Sequence, residues 1–196
     1  MKKHQLELEE GKYYHIFNRG NNSDKIFFNE LNYIFFLNRY NEYLSDYVET
    51  FAYCLLPNHF HLLIRVKEKA LLLQKAKLLE KPSQAFHRFF TSYSKATNKQ
   101  QSRHGSLFEN PFKRIEIYTN EYFTNLVFYI HANPQLHGYV NDFRAYKWSS
   151  YNSILSDKPS NLQRQAVIEW FDNKENFIFF HKKKISFELI KQFSFD

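Results

Sequence analysis

A single cysteine, Cys54, stands among 196 residues, so the chain can form neither an intramolecular disulfide nor a thiolate metal cage. Glycine (4) and proline (5) are scarce, which argues against long flexible linkers. The apolar runs, such as Ile34–Leu37, are far shorter than the roughly 20 residues needed to cross a bilayer. The opening MKKHQLELEEGKYY has no apolar stretch of the kind a signal peptide carries. A soluble cytoplasmic protein without a membrane partner is expected. No P-loop sequence occurs, so no nucleotide cofactor is expected either. Internal repeats and low-complexity tracts are also missing, and the length suits one domain with an appendage.

Aromatic and basic residues are plentiful instead. Phe (22), Tyr (14) and Trp (2) make up 19% of the chain, and the formal charge is +7. Aromatics with positive charge suit stacking on bases and attraction to phosphates. Codon usage in an AT-rich genome produces the same excess, so composition alone does not separate the two readings. The distribution of charge says more. Between Arg65 and Arg114 lie twelve basic and three acidic residues, a block of +9, and the rest of the chain sums to −2. Lys95, Lys99, Arg103, Lys113 and Arg114 belong to this block, whose concentration marks a site for a polyanion. A Lys-rich solvated helix face is the plainer alternative.

Residues 12–19 are rich in β-formers and end at a Gly20-Asn21-Asn22-Ser23 turn. From Asn29 to about Ser45, Leu31, Ile34, Phe35, Leu37 and Tyr43 suggest the apolar stripe of a helix. Residues 49–56 and 59–66 read as strands joined by Pro57-Asn58, a hairpin. A basic connector covers 67–81. Phe86, Phe89, Phe90 and Tyr93 place a second helix over Ser83 to about Asn98, and 112–118 alternate as a strand. Thr119 is a suitable N-cap for a third helix ending near Asn133-Pro134. The order β-α-β-β-α-β-α predicts an α+β fold, a ferredoxin-like antiparallel sheet with helices on one face, over residues 1–151. Residues 152–196 form a C-terminal extension of unread role.

The sharpest local feature is His59-Phe60-His61. Alternation puts both imidazoles on one face of the strand, while Phe60, Leu62, Ile64 and Val66 face the core. Two imidazoles so placed, on what is expected to be the sheet's open face, can share one divalent metal at about 2.1 Å. On the third helix, Tyr129 and Asn133 are four residues apart and lie one above the other. Tyr129 offers a phenol of ordinary pKa about 10, a poor nucleophile without help. Asn133 offers an oxygen that could complete a metal site. Taken singly, the two histidines read equally well as surface imidazoles, and Tyr129 and Asn133 read more simply as a packing tyrosine and a helix-end residue.

Taken together, YCLLPNHFHLLIRV, then YIHANP followed by HGYV, then WSSY, resemble the single-tyrosine transposases of the His-hydrophobic-His class of DNA-nicking enzymes. The similarity is to the REP-associated tyrosine transposase branch and covers roughly Tyr13 to Tyr151. The resemblance implies that His59 and His61 bind metal, that Tyr129 is the nucleophile, and that Asn133 takes a third-ligand position that is glutamine in some relatives. It implies Arg19, in the Asn18-Arg19-Gly20 loop, as a DNA contact, Mg²⁺ or Mn²⁺ as cofactor, and single-stranded or hairpin DNA as partner. The implied reaction cleaves and rejoins single-stranded DNA through a 5′-phosphotyrosine, by a monomer or a homodimer. Two imidazoles and an amide suit Mn²⁺ or Zn²⁺ better than Mg²⁺. Three other readings remain: a hairpin-binding protein that has lost cleavage, a barrel-type metal-dependent hydrolase, for which the chain is short, and an RNA-binding module, for which no RNP-type sequence occurs.

Overall fold

The computed structural model describes residues 6–68, 81–182 and Phe193. Most of the expected basic connector, residues 69–80, lies outside them. Among the described residues run β1 (Tyr13–Arg19), α1 (Glu30–Leu44), β2 (Val48–Leu56), β3 (His59–Val66), α2 (Pro82–Gln100), β4 (Lys113–Ile117) and α3 (Asn120–Leu136). Three short helices follow: α4 (Tyr151–Leu155), α5 (Arg164–Trp170) and α6 (Lys174–Phe180). No helix among the described residues is long and apolar enough to cross a membrane.

Local chemistry explains the boundaries. Asn29 and Asn32 cap α1 reciprocally, each side-chain oxygen accepting from the other's backbone N–H. Thr119 caps α3 by accepting from the Tyr122 N–H. Expected to stop at Asn133, α3 runs on to Leu136 through Pro134, and the His137 N–H closes the last turn on the Asn133 oxygen. Near the end of a helix the missing proline N–H removes one bond, and the neighbouring turn holds.

The strand order is β2-β3-β1-β4, with every neighbouring pair antiparallel. β3 therefore lies between β1 and β2, and β1 between β3 and β4, giving two interleaved split β-α-β units. This is the expected ferredoxin-like sheet. Phe60, Leu62, Ile64 and Val66 of β3, with Tyr14 and Ile16 of β1, form one core with α1 and α2. The α1 stripe differs from expectation. Tyr33, Phe36, Tyr40 and Leu44 are buried, whereas Leu31 and Ile34 face solvent.

The second face of the sheet was expected to be open, and it is covered. Ala52, Cys54 and Leu56 of β2, Leu63 of β3 and Ile117 of β4 pack under Phe123, Leu126, Val127 and Ile130 of α3. The extension joins this second core through Val167, Phe171 and Phe177. A bulge at Phe51 sends Phe51 and Ala52 to this same face. The chain then returns along β2. Leu55 N–H donates to the Trp148 oxygen, and Ser150 N–H to the Tyr53 oxygen. A buried thread completes the layer. Tyr53 N–H donates to Ser150 Oγ, which lies 2.8 Å from His131 Nε2, and His131 Nδ1 lies 2.9 Å from His181 Nε2.

Candidate active site

β3 opens with His59-Phe60-His61. Phe60 goes to the first core, and the two imidazoles turn toward α3. Tyr129, Asn133 and His137 follow one another at four-residue intervals on one side of α3, His137 being its C-cap. The two elements meet there. The Tyr129 ring centre is 5.6 Å from that of His61, Asn133 Oδ1 is 3.5 Å from His59 Nε2, and the His137 ring is 4.6 Å from His59. The four residues singled out from the sequence, His59, His61, Tyr129 and Asn133, thus share one place.

Neighbouring groups orient them. His59 Nδ1 lies 2.7 Å from Asn58 Oδ1. Amide oxygens only accept, so the ring proton goes to the closer contact at Nδ1, and Nε2, 3.5 Å from Asn133 Oδ1, keeps its lone pair. The Tyr139 hydroxyl donates to the same oxygen at 3.3 Å. His61 Nδ1 meets His15 Nε2 at 2.9 Å. Asn133 Nδ2 donates to the Tyr129 carbonyl oxygen at 3.0 Å, which leaves Oδ1 toward the histidines. Burial holds His15 down to about 3 and depresses His61, with the neighbouring His15, His59 and His137 rings adding to the effect. At neutral pH both rings are uncharged, the form in which imidazole binds metal.

These residues fit a divalent cation. Among the described residues no three His, Cys, Asp or Glu side chains converge as a ligand set, so a third donor would be the Asn133 amide oxygen. Two imidazole nitrogens and one oxygen suit Mn²⁺ or Zn²⁺, and Mg²⁺ would need further oxygens from phosphate or water.

Of the expected DNA contacts, two adjoin this site. Arg19 pairs with His59 across β1 and β3, and Lys113 pairs with Phe17 across β1 and β4. Glu109 stands between them, 3.9 Å from Arg19 Nε and 3.8 Å from Lys113 Nζ. The others lie elsewhere. Arg114 covers the Phe112 ring on the first-core side, Arg103 is bound to Asp24 at 2.8 Å, and Lys95 and Lys99 are exposed on α2. Above the site, the Phe193 ring packs against Tyr129 and Tyr122 at 5.2 and 4.9 Å, leaving Tyr129 only 5% exposed.

Sequence reasoning missed His15, Asn58, Glu109 and His137. Asn58 and His137 sit inside the motif text, where adjacency to His59 and one further helical turn past Asn133 were available signals. His15 and Glu109 depend on strand register and a loop path that no local pattern encodes.

No family model matches the chain. A curated relative from Haemophilus influenzae, named as a REP-associated tyrosine transposase, is 27% identical across 58% of this chain and 74% of its own length. A solved REP-associated tyrosine transposase, bound to a REP hairpin, superposes with a TM-score of 0.64. It is 16% identical and matches 81% of this chain and 89% of its own. The relative and the solved neighbour are both REP-associated tyrosine transposases, and this chain is similar to the first in sequence and to the second in fold. The resemblance drawn from the motifs is borne out, and the REP-associated transposase fold accounts for the four-stranded antiparallel sheet and its helices.

Proposed function

We propose that this protein is a DNA-binding transposase that recognises hairpin DNA and cleaves and rejoins an adjacent single strand through Tyr129. The observation that carries the proposal is the convergence of Tyr129, His61, His59 and Asn133 at the junction of β3 and α3. The relative's name, the hairpin held by the solved neighbour and the +9 block support a DNA partner.

In this reading the Tyr129 phenol oxygen attacks a backbone phosphorus. The phenol gives up its proton as the new bond to tyrosine forms, the bond to the 3′ oxygen breaks, and one proton is returned to that oxygen, which leaves as a 3′-hydroxyl. The 5′-phosphotyrosine conserves the phosphoester, so a 3′-hydroxyl attacking in reverse reseals a strand without a nucleotide cofactor. His59, His61 and Asn133 would hold the divalent cation, which when bound polarises a phosphoryl oxygen. Arg19 and Lys113 offset phosphate charge at the mouth of the site, where Glu109 now stands between them.

Incubation with labelled hairpin DNA bearing single-stranded flanks and Mn²⁺ should yield a denaturant-resistant adduct that peptide mapping places on Tyr129. Tyr129→Phe should abolish cleavage and keep DNA affinity, while Tyr122→Phe stays active. An adduct on another tyrosine overturns the assignment. A second reading, hairpin binding without cleavage, draws on the burial of Tyr129 beneath Phe193. Tight binding with no adduct on any substrate would favour it.

A further inference from the structure

The two histidines assigned above to a divalent cation differ in what stands behind them. Behind His59 is an amide oxygen that can only accept. Behind His61 is a second imidazole, His15, which can donate or accept. If His15 carries its proton on Nε2, it donates to His61 Nδ1. The His61 proton then sits on Nε2, and that nitrogen cannot bind a cation. If His15 carries its proton on Nδ1, its Nε2 accepts from His61 Nδ1–H, and His61 Nε2 keeps a lone pair.

The geometry suits a strong, directed bond. The nitrogens are 2.9 Å apart, the ring planes differ by 25°, and the ring centres are 5.1 Å apart. That centre-to-centre distance is what two five-membered rings give when they meet edge to edge through such a contact. The bond therefore lies nearly in both ring planes, along the lone-pair direction. His15 and His61 are diagonal neighbours on β1 and β3, where His15 pairs with Leu63 and His61 with Phe17. The Phe17 ring packs beside both imidazoles, at 4.8 and 5.7 Å between centres. His15 is fully enclosed, so bulk water does not compete for His61 Nδ1.

We propose that His15 is a positioning residue that holds His61 in its Nδ1–H tautomer and aims Nε2 at the cation. The proposal rests on reading His61 as a ligand. His15 itself stays out of the ligand set, because it contacts the Nδ1 edge of His61 while the cation would take Nε2. Outer partners of this kind carry about 10–100-fold in metal affinity.

The test is Mn²⁺ titration calorimetry on the full chain, with thermal melts to check folding. His15→Phe fills the space without an acceptor and should weaken Mn²⁺ binding by about 10–100-fold. His15→Gln restores an acceptor and should bind close to wild type, a rescue that a purely structural role would not give. Folded His15→Phe with wild-type Mn²⁺ affinity, beside a His61→Ala that loses it, overturns the proposal and leaves the ligand reading intact. Wild-type affinity in His61→Ala removes the ligand reading and the proposal with it. Long-range ¹H–¹⁵N spectra of the metal-free protein need no variant. They should report Nδ1–H tautomers for both rings, and a His61 protonated on Nε2 would sink the idea.

Discussion

Asn133 donates from Nδ2 to the carbonyl oxygen of Tyr129 at 3.0 Å, tying the proposed nucleophile's turn of α3 to the proposed third ligand. The same amide presents Oδ1 to His59 Nε2. One side chain thus serves two elements, and its removal should be felt at both.

Asn133→Ala should weaken Mn²⁺ binding by more than the loss of an outer partner, beyond about 100-fold. It should also cost about 1 kcal/mol of stability, the ordinary worth of one hydrogen bond. Calorimetric titration and urea unfolding measure the two effects separately. A variant that keeps full Mn²⁺ affinity would remove Asn133 from the ligand set.

Salt dependence should separate the two groups of cations. Arg19 and Lys113 adjoin the imidazoles, whereas Lys95 and Lys99 lie on α2, which packs on the other face. For a short single strand, neutralising Arg19 and Lys113 should flatten the slope of log affinity against log salt by roughly 0.7 per lost contact. Neutralising Lys95, Lys99 and Arg103 should leave that slope unchanged and flatten it for a hairpin long enough to reach round the sheet. Equal slopes for all variants on both ligands would place the DNA elsewhere.

Core truncations on α1 should follow the observed stripe. Phe36→Ala, at a fully buried ring packed on Phe60 and Phe89, should destabilise by about 3–5 kcal/mol. Leu31→Ala and Ile34→Ala, on the exposed face, should stay within about 0.5 kcal/mol of wild type. Urea midpoints test the contrast, and a costly Leu31→Ala would restore the stripe expected from sequence.

That stripe marks where the sequence stops being legible. Strand β3 is read residue for residue, because alternation of period two leaves one choice once Phe60, Leu62, Ile64 and Val66 agree. Helix α1 is found but rotated, because a chain with 22 Phe and 14 Tyr offers an apolar stripe on more than one face. The grouping of His59, His61, Tyr129 and Asn133 follows from local spacing and the resemblance. His15 does not, since its meeting with His61 spans 46 residues and depends on the β1–β3 register. The covered second face was missed because α3, found as a helix, carries nothing in its spacing that says which face of the sheet it packs on. The helices that join it there, α5 and α6, carry only seven residues each.

Stability should fall in mild acid. Burial depresses His181 to about 4 and His15 to about 3, and lowers His61 and His131 as well. In the unfolded chain these groups titrate near about 6.5. The folded values lie below the unfolded ones, so as pH drops the unfolded chain takes up protons that the folded chain refuses. Their contribution is complete above about pH 6.5 and is lost progressively toward about pH 4, at about 1.4 kcal/mol per pH unit for each proton. Urea midpoints that stay level between about pH 7 and pH 5 would contradict it.

The thread from Tyr53 through Ser150 and His131 to His181 bears on any attempt to shorten this chain. A protein cut after Tyr151 would lose His181, the partner of a nitrogen on the helix that carries Tyr129. It would also lose Phe177 and Phe180, laying bare the Tyr151 and Phe128 rings they pack against. An apolar surface of that kind seeks a new neighbour. The shortened chain would therefore clump in concentrated solution rather than behave as a smaller, well-mannered version of the whole.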